Sequence, residues 1–140
     1  AQAEAEDPAD LADPAALEAI AYGTREVIGA MEADCSVRMT ELRVDGGAAN
    51  NDWLMDFQAG VLGVPVRRPA MVETTALGAA GLAGLATGVW STADEFLASQ
   101  GEGERFDPTM RDSERGDLLD GWARAVRAVK TWANDSGGAS

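Results

Sequence analysis

Histidine is absent from this chain of 140 residues, and cysteine, lysine and tyrosine occur once each. With Cys35 alone no intramolecular disulfide can form, and with no histidine there is no Cys/His cluster to hold a metal. A lone thiol fits a reducing compartment. Aromatic residues are only 6% of the chain against 46% hydrophobic residues, so a core must be built chiefly from Ala, Leu and Val. Positive charge is scarce too: 11 basic residues face 24 acidic ones, a net charge of −13, which argues against nucleic acid as a partner. Nor is there a long apolar run. ALGAAGLAGLATGVW, from Ala76 to Trp90, falls short of the roughly 20 residues that a bilayer crossing needs. An acidic, Ala-rich start stands where a signal peptide would have a basic segment. The chain is therefore predicted to be soluble and cytoplasmic, without a membrane partner.

What is present in excess is carboxylate. Lys130 is the only lysine, the other cations are arginines, and Asp slightly outnumbers Glu. Such a surface repels itself at low salt and is eased where salt screens it, as in a salt-loving cytoplasm. An ordinary, well-solvated acidic surface is the other reading.

Apolar spacing and punctuation predict the elements. AQAEAEDPADLAD, residues 1–13, carries charge, Ala and proline without periodicity and reads as a disordered or divergent lead-in. Asp13 and Pro14 then open a helix to about Ala33, with Leu17, Ile20, Ala21, Thr24, Ile28 and Met31 at spacings of three and four. TELRVD alternates and predicts a strand over 40–45. Trp53, Leu54, Phe57, Val61 and Leu62 recur at helical spacing up to Gly63, a natural stop. VPVR, from Val64, predicts a second strand, and Pro65 places it at an edge or makes this its start. A helix follows from Thr75 to Gly88. Ser91 with Asp94 suggests a capping box for a short helix through Leu97. A long helix from Arg111 to Ala133 presents Leu118, Leu119, Trp122, Val126 and Val129 on one face, and residues 134–140 read as a flexible tail. Alternating helices and strands predict an α/β fold with parallel strands over 14–133. Two short strands are a small platform for a parallel sheet, which is normally buried on both faces.

The stretch LRVDGGAANNDWLMDFQ concentrates the chemistry. Asp-Gly often closes a hairpin, yet AANNDWLMDFQ has the period of a helix. A strand that ends in two glycines and enters a helix brings backbone close to a phosphate or nucleotide. Asn51 carries both a donor and an acceptor and can read an adenine edge; helix capping by Asn50 or Asn51 is the structural alternative. GAAGLAGLATG, with Gly78, Gly81, Gly84 and Gly88, suggests close packing of a helix against backbone. Glu73 and Thr74, just ahead of it, read as capping residues.

The run from Leu42 to Trp90 resembles the C-terminal domain of glycerol kinases, in the FGGY carbohydrate kinase family. The likeness extends over about Ala16 to Ala128, through ALEAIAYGTREV, FDPTM and GWARAV. It implies the second half of a ribonuclease H-like domain of the actin and hexokinase type. It also implies an adenosine-binding turn at Asp45, Gly46, Gly47 and Ala48, with Gly47 against the adenosine of ATP and Asn51 at the base. In the family the glycine-rich helix packs beneath the nucleotide site. ATP or ADP is the ligand implied, with Mg²⁺ and glycerol bound through other parts of the enzyme. The missing kinase half, or a second copy of the chain, is the protein partner left open. Phosphoryl transfer also needs a positioning carboxylate, donors to the phosphates and a Mg²⁺ site. The family's versions of these resemble sequence upstream of Ala16, and the first residues depart from the family pattern, as at the edge of a truncated or frame-shifted gene. No catalytic residue is therefore assigned, and the chain alone is expected to be inactive. An inactive remnant and a kinase of another sugar or polyol are the alternative readings.

If self-repulsion among the acidic groups limits stability, the melting midpoint rises from low salt to molar KCl, where the Debye length shrinks to about 3 Å. A midpoint that stays level or falls in thermal melts across a KCl series would refute the salt-adapted reading.

Overall fold

The computed structural model describes residues 13–71, 74–101 and 103–136. The expectations for residues 1–12, for capping by Glu73 and for residues 137–140 lie outside these. Helix α1, Pro14–Cys35, opens as its sequence dictates: Asp13 Oδ1 accepts from Ala15 N at 3.0 Å, and Pro14 takes the first position, where a missing N–H goes unnoticed. Ala21, Tyr22 and Ile28 are buried. Ile20 and Met31, expected on the packed face, are 48% and 59% exposed. Tyr22 takes the inward place, stacked at 5.2 Å on Trp122 and edge-on at 5.7 Å to Phe57. One ring thus covers two neighbouring helices, which neither aliphatic chain is wide enough to do.

Strands β1 (Leu42–Arg43) and β2 (Val66–Arg68) run parallel, Leu42 opposite Val66. Leu42 N donates to Pro65 O at 2.9 Å and Val44 N to Arg67 O at 3.1 Å. Helix α2, Asp52–Leu62, makes the crossover and stops at Gly63, whose φ of 73° is left-handed. Ala21 and Ala59, both fully buried, let α1 and α2 approach closely, and Gln58 Nε2 donates across the contact to Ala21 O at 3.3 Å. Leu54, Met55, Val66 and Phe106 complete the core, with Leu42 and Val44 packed on it; Trp53 is instead half exposed.

A third strand, β3 (Glu104–Phe106), lies antiparallel on the other side of β2, Val66 opposite Phe106. No alternation in sequence announces it. The order β1-β2-β3 makes β2 the central strand, so the edge reading of Pro65 is wrong and the strand-start reading right. Pro65 sits one residue ahead of the ladder, where its carbonyl is used and its missing N–H is not required.

Helix α3, Thr74–Thr87, contacts the short helix α4, Ala93–Ala98. Its glycines admit rings where backbone was expected. A Cβ at Gly81 would collide with Phe96, and one at Gly84 with Trp90; the two rings meet edge-on at 4.8 Å. The cap of α4 lies one residue beyond the expected Ser91/Asp94 pair: Thr92 Oγ1 accepts from Glu95 N, and Glu95 Oε2 accepts from Ser91 N. Helix α5, Asp112–Ser136, continues past Ala133. Leu118, Leu119, Trp122 and Val126 are half-buried as its pattern predicts, but Val129 is exposed.

The sheet carries an electrostatic problem and its solution. Arg43, Arg67 and Arg105 stand opposite one another across the three strands, and like charges so placed are destabilising. Glu41 lies among the three and offsets their repulsion, with Oε1 3.5 Å from Arg43 Nε, both carboxylate oxygens 3.3 Å from Arg67 Nε, and Oε2 3.4 Å from Arg105 Nη1; Asp107 pairs with Arg105 as well. Partial burial pushes its carboxyl up, but Arg67 and Arg43 outweigh this and hold it below the usual range. A lowered carboxylate contributes stability above its unfolded pKa and loses it as pH falls through the folded value. Glu41→Gln should therefore melt below the parent at pH 7, with the gap closing as pH drops below about 4. A gap that is constant from pH 7 to pH 3 would rule out this role.

Candidate functional site

The parallel strands lead into the turn Asp45–Asn51 at the carboxyl end of β1. Gly46 has φ 80° and ψ 176°, a conformation open in practice to glycine alone. The chain then winds into a 3-10 turn, Gly47–Asn50, closed by Ala49 N donating to Gly46 O at 3.1 Å and Asn51 N to Ala48 O at 3.3 Å. Ala49 is 2% exposed and anchors the turn in the core, whereas Gly47 and Ala48 face solvent. The glycines divide their tasks. Gly46 supplies the backbone conformation; Gly47 has no positive φ, and a Cβ there would meet nothing within 4 Å. The protein's own packing thus gives no reason for a glycine at position 47.

Asn51 caps α2, its Oδ1 accepting from Leu54 N at 2.8 Å, so capping falls to Asn51 and not to Asn50. At the other end of the turn, Thr74 Oγ1 donates to Asp45 Oδ2 and ties β1 to the first residue of α3. Thr74 therefore braces the turn from the start of that helix. Beside it lies a cleft of about 570 Å³ lined by Val44, Asp45, Arg67, Pro69, Thr74 and Leu77 among others. It opens where the parallel strands end, the place at which open α/β sheets bind ligands.

Arg68 is the residue that sequence reasoning missed. Its Nη1 donates to Ala49 O at 2.7 Å and lies 2.8 Å from Asp52 Oδ1, Nη2 pairs with Glu104, and the guanidinium sits 5.1 Å above the Phe106 ring. Burial would ease its proton off, but hydrogen bonds to Glu104 and Asp52 outweigh this and raise its pKa. Nothing local could have revealed a partner nineteen residues away. Gly46, Gly47, Ala48 and Asn51 are brought together on one turn. Among the described residues no group of three His, Cys, Asp or Glu is placed to hold a metal ion.

Residues 2–87 match the model of the FGGY family of carbohydrate kinases, C-terminal domain. The chain is 52% identical over 122 residues to a glycerol kinase of Deinococcus radiodurans, covering 87% of this chain and 24% of that protein. It is 54% identical over 115 residues to a glycerol kinase of Thermus thermophilus, covering 82% and 23%. A crystal structure of Plasmodium falciparum glycerol kinase with ADP superposes with a TM-score of 0.69 at 30% identity, over 80% of this chain and 22% of that one. The chain thus spans about a quarter of the length of these relatives.

The division between the glycines is open to measurement. Gly46→Ala should lower unfolding free energy by about 1–3 kcal/mol, because alanine must be forced into the glycine conformation. Gly47→Ala should stay within about 0.5 kcal/mol of the parent. Urea melts of the two variants decide it, and equal losses would mean that the backbone roles are not divided in this way.

Proposed function

The chain belongs to the FGGY family of carbohydrate kinases, through its C-terminal domain, and on that premise we propose that it supplies the nucleotide-binding part of a glycerol kinase. In the complete enzyme the γ-phosphate of ATP passes to a glycerol hydroxyl, giving glycerol 3-phosphate. The observation that carries the reading is Gly47: an exposed glycine, in unstrained backbone, with open space where a side chain would stand. Glycine at such a place serves close approach by something outside the chain. Similarity to a glycerol kinase solved with ADP supports a nucleotide there.

Gly46, Gly47 and Ala48 present backbone to the adenosine, and the amide of Asn51 reads the base while its oxygen caps α2. Among the described residues no three acidic groups gather to hold Mg²⁺, and its ligands belong to the remainder of the enzyme. Glycerol and the reacting phosphate belong to the remainder of the enzyme. Helix α3, apolar on most sides yet exposed at Leu82 and Ala79, is the face assigned to contact with that remainder. A cytoplasmic location, rich in salt, is part of the same proposal; a net charge of −13 and the exposed free thiol of Cys35 support it.

The test uses a chimaera in which this chain replaces the matching segment of the Deinococcus radiodurans glycerol kinase. Gly47→Val should abolish ADP binding while the protein stays folded, as the open space around a Cβ at this position allows. Asn51→Ser keeps a capping oxygen but lacks the amide, so affinity should fall roughly tenfold, the loss of about 1–2 kcal/mol from one contact. Titration calorimetry with ADP reads both. A folded Gly47→Val protein that binds ADP like its parent would end the proposal.

A further inference from the structure

We propose that Arg68 is a positioning residue for the turn that presents Gly47, an inference resting on the nucleotide reading above. Four arginines lie on the sheet, and three of them, which share Glu41, are the more exposed: the side chains of Arg43, Arg67 and Arg105 are 83%, 37% and 44% exposed. That of Arg68 is 14% exposed, and its guanidinium points back beneath the turn. Its hold on the turn runs through the carbonyl of Ala49.

The geometry is a fork. One nitrogen, Nη1, reaches both the carbonyl of Ala49, inside the 3-10 turn, and the carboxylate of Asp52, the first residue of α2. The other, Nη2, reaches Glu104 on β3, while the flat face rests on Phe106. The two ends of the turn's exit are thereby held at a fixed separation from the central strand. Only a planar group with several donors can do this, and a lysine ammonium, a single point on a flexible stem, cannot hold the three acceptors and lie on the ring at once. Ala49 donates to Gly46 O and its own carbonyl accepts from Arg68, so displacement of that carbonyl is passed directly to the glycine pair.

Amide hydrogen exchange on the 140-residue chain, without nucleotide, compares the parent with Arg68→Lys. The Ala49 and Asn51 amides report on the turn, and the Gly63 amide, which donates to Ala59 O at the far end of α2, reports on the rest of the fold. Exchange at Ala49 and Asn51 should rise at least about tenfold while that at Gly63 changes less than about twofold. Unchanged turn amides would overturn the proposal. An equal rise at all three sites would overturn it too, since Arg68 would then be a general stabiliser. In the chimaera, Arg68→Lys should weaken ADP binding while the melting midpoint holds; faster turn exchange with unaltered ADP affinity also counts against positioning. If the parent chimaera itself fails to bind ADP, the nucleotide reading falls, and the exchange comparison still decides whether Arg68 sets the turn.

Discussion

Strands of two, three and three residues form a small sheet on the core residues Val66 and Phe106, and the adjacent arginines of β2 tie its central strand to what surrounds it. Arg67 shares Glu41 with the strands on either side, and Arg68 shares its fork with the turn, α2 and β3. Adjacent residues on a strand point to opposite faces, so one arginine serves each side of the sheet. Of the two guanidinium groups that of Arg68 is the more shielded, its side chain 14% exposed against 37% for Arg67, and so is screened less by salt. In an acidic chain with few cations, Arg68 pairs with two carboxylates and donates to a carbonyl, while Arg67 shares one carboxylate with two other arginines.

Much of this fold was legible in the sequence wherever a signal is local. Asp13 with Pro14, Gly63 and Gly88 mark helix ends because capping depends on the residues next to it in the chain, and all three mark ends here. Local signals failed when two registers satisfied them equally: Ser91 with Asp94 and Thr92 with Glu95 both spell a capping box, and tertiary packing of Phe96 against Gly81 selects the second. Strand β3 left no trace because only Phe106 is buried in it, and its extension is imposed by pairing with a strand some forty residues earlier. The candidate turn was visible as a glycine pair between strand and helix. The resemblance set Gly47 toward the nucleotide, but that Gly46 is the one that bends the backbone was not legible, since both are glycine and only φ separates them.

The candidate turn also shows how one short segment can serve two roles. Asn51 must cap α2 for the helix to start in the right place, and the proposed contact with a base uses the same side chain. Asp45 ends β1 and receives Thr74, so the start of α3 moves with the turn. Rigid elements on either side hold a solvent-facing pair of small residues, an arrangement that keeps a binding loop in place before its ligand arrives.

The stack of Tyr22 on Trp122, reinforced by Trp122 Nε1 donating to Glu26 Oε1 at 3.1 Å, joins the first helix to the last across nearly the whole chain. A ribosome working at about 5–20 residues per second takes roughly 5–20 s to travel between those two rings. Phe57 arrives partway through that interval and offers Tyr22 its edge-on contact, while the stacking partner Trp122 comes at its end. The packing of α1 against α5 is thus a long-range contact that forms late, however early α1 itself winds up.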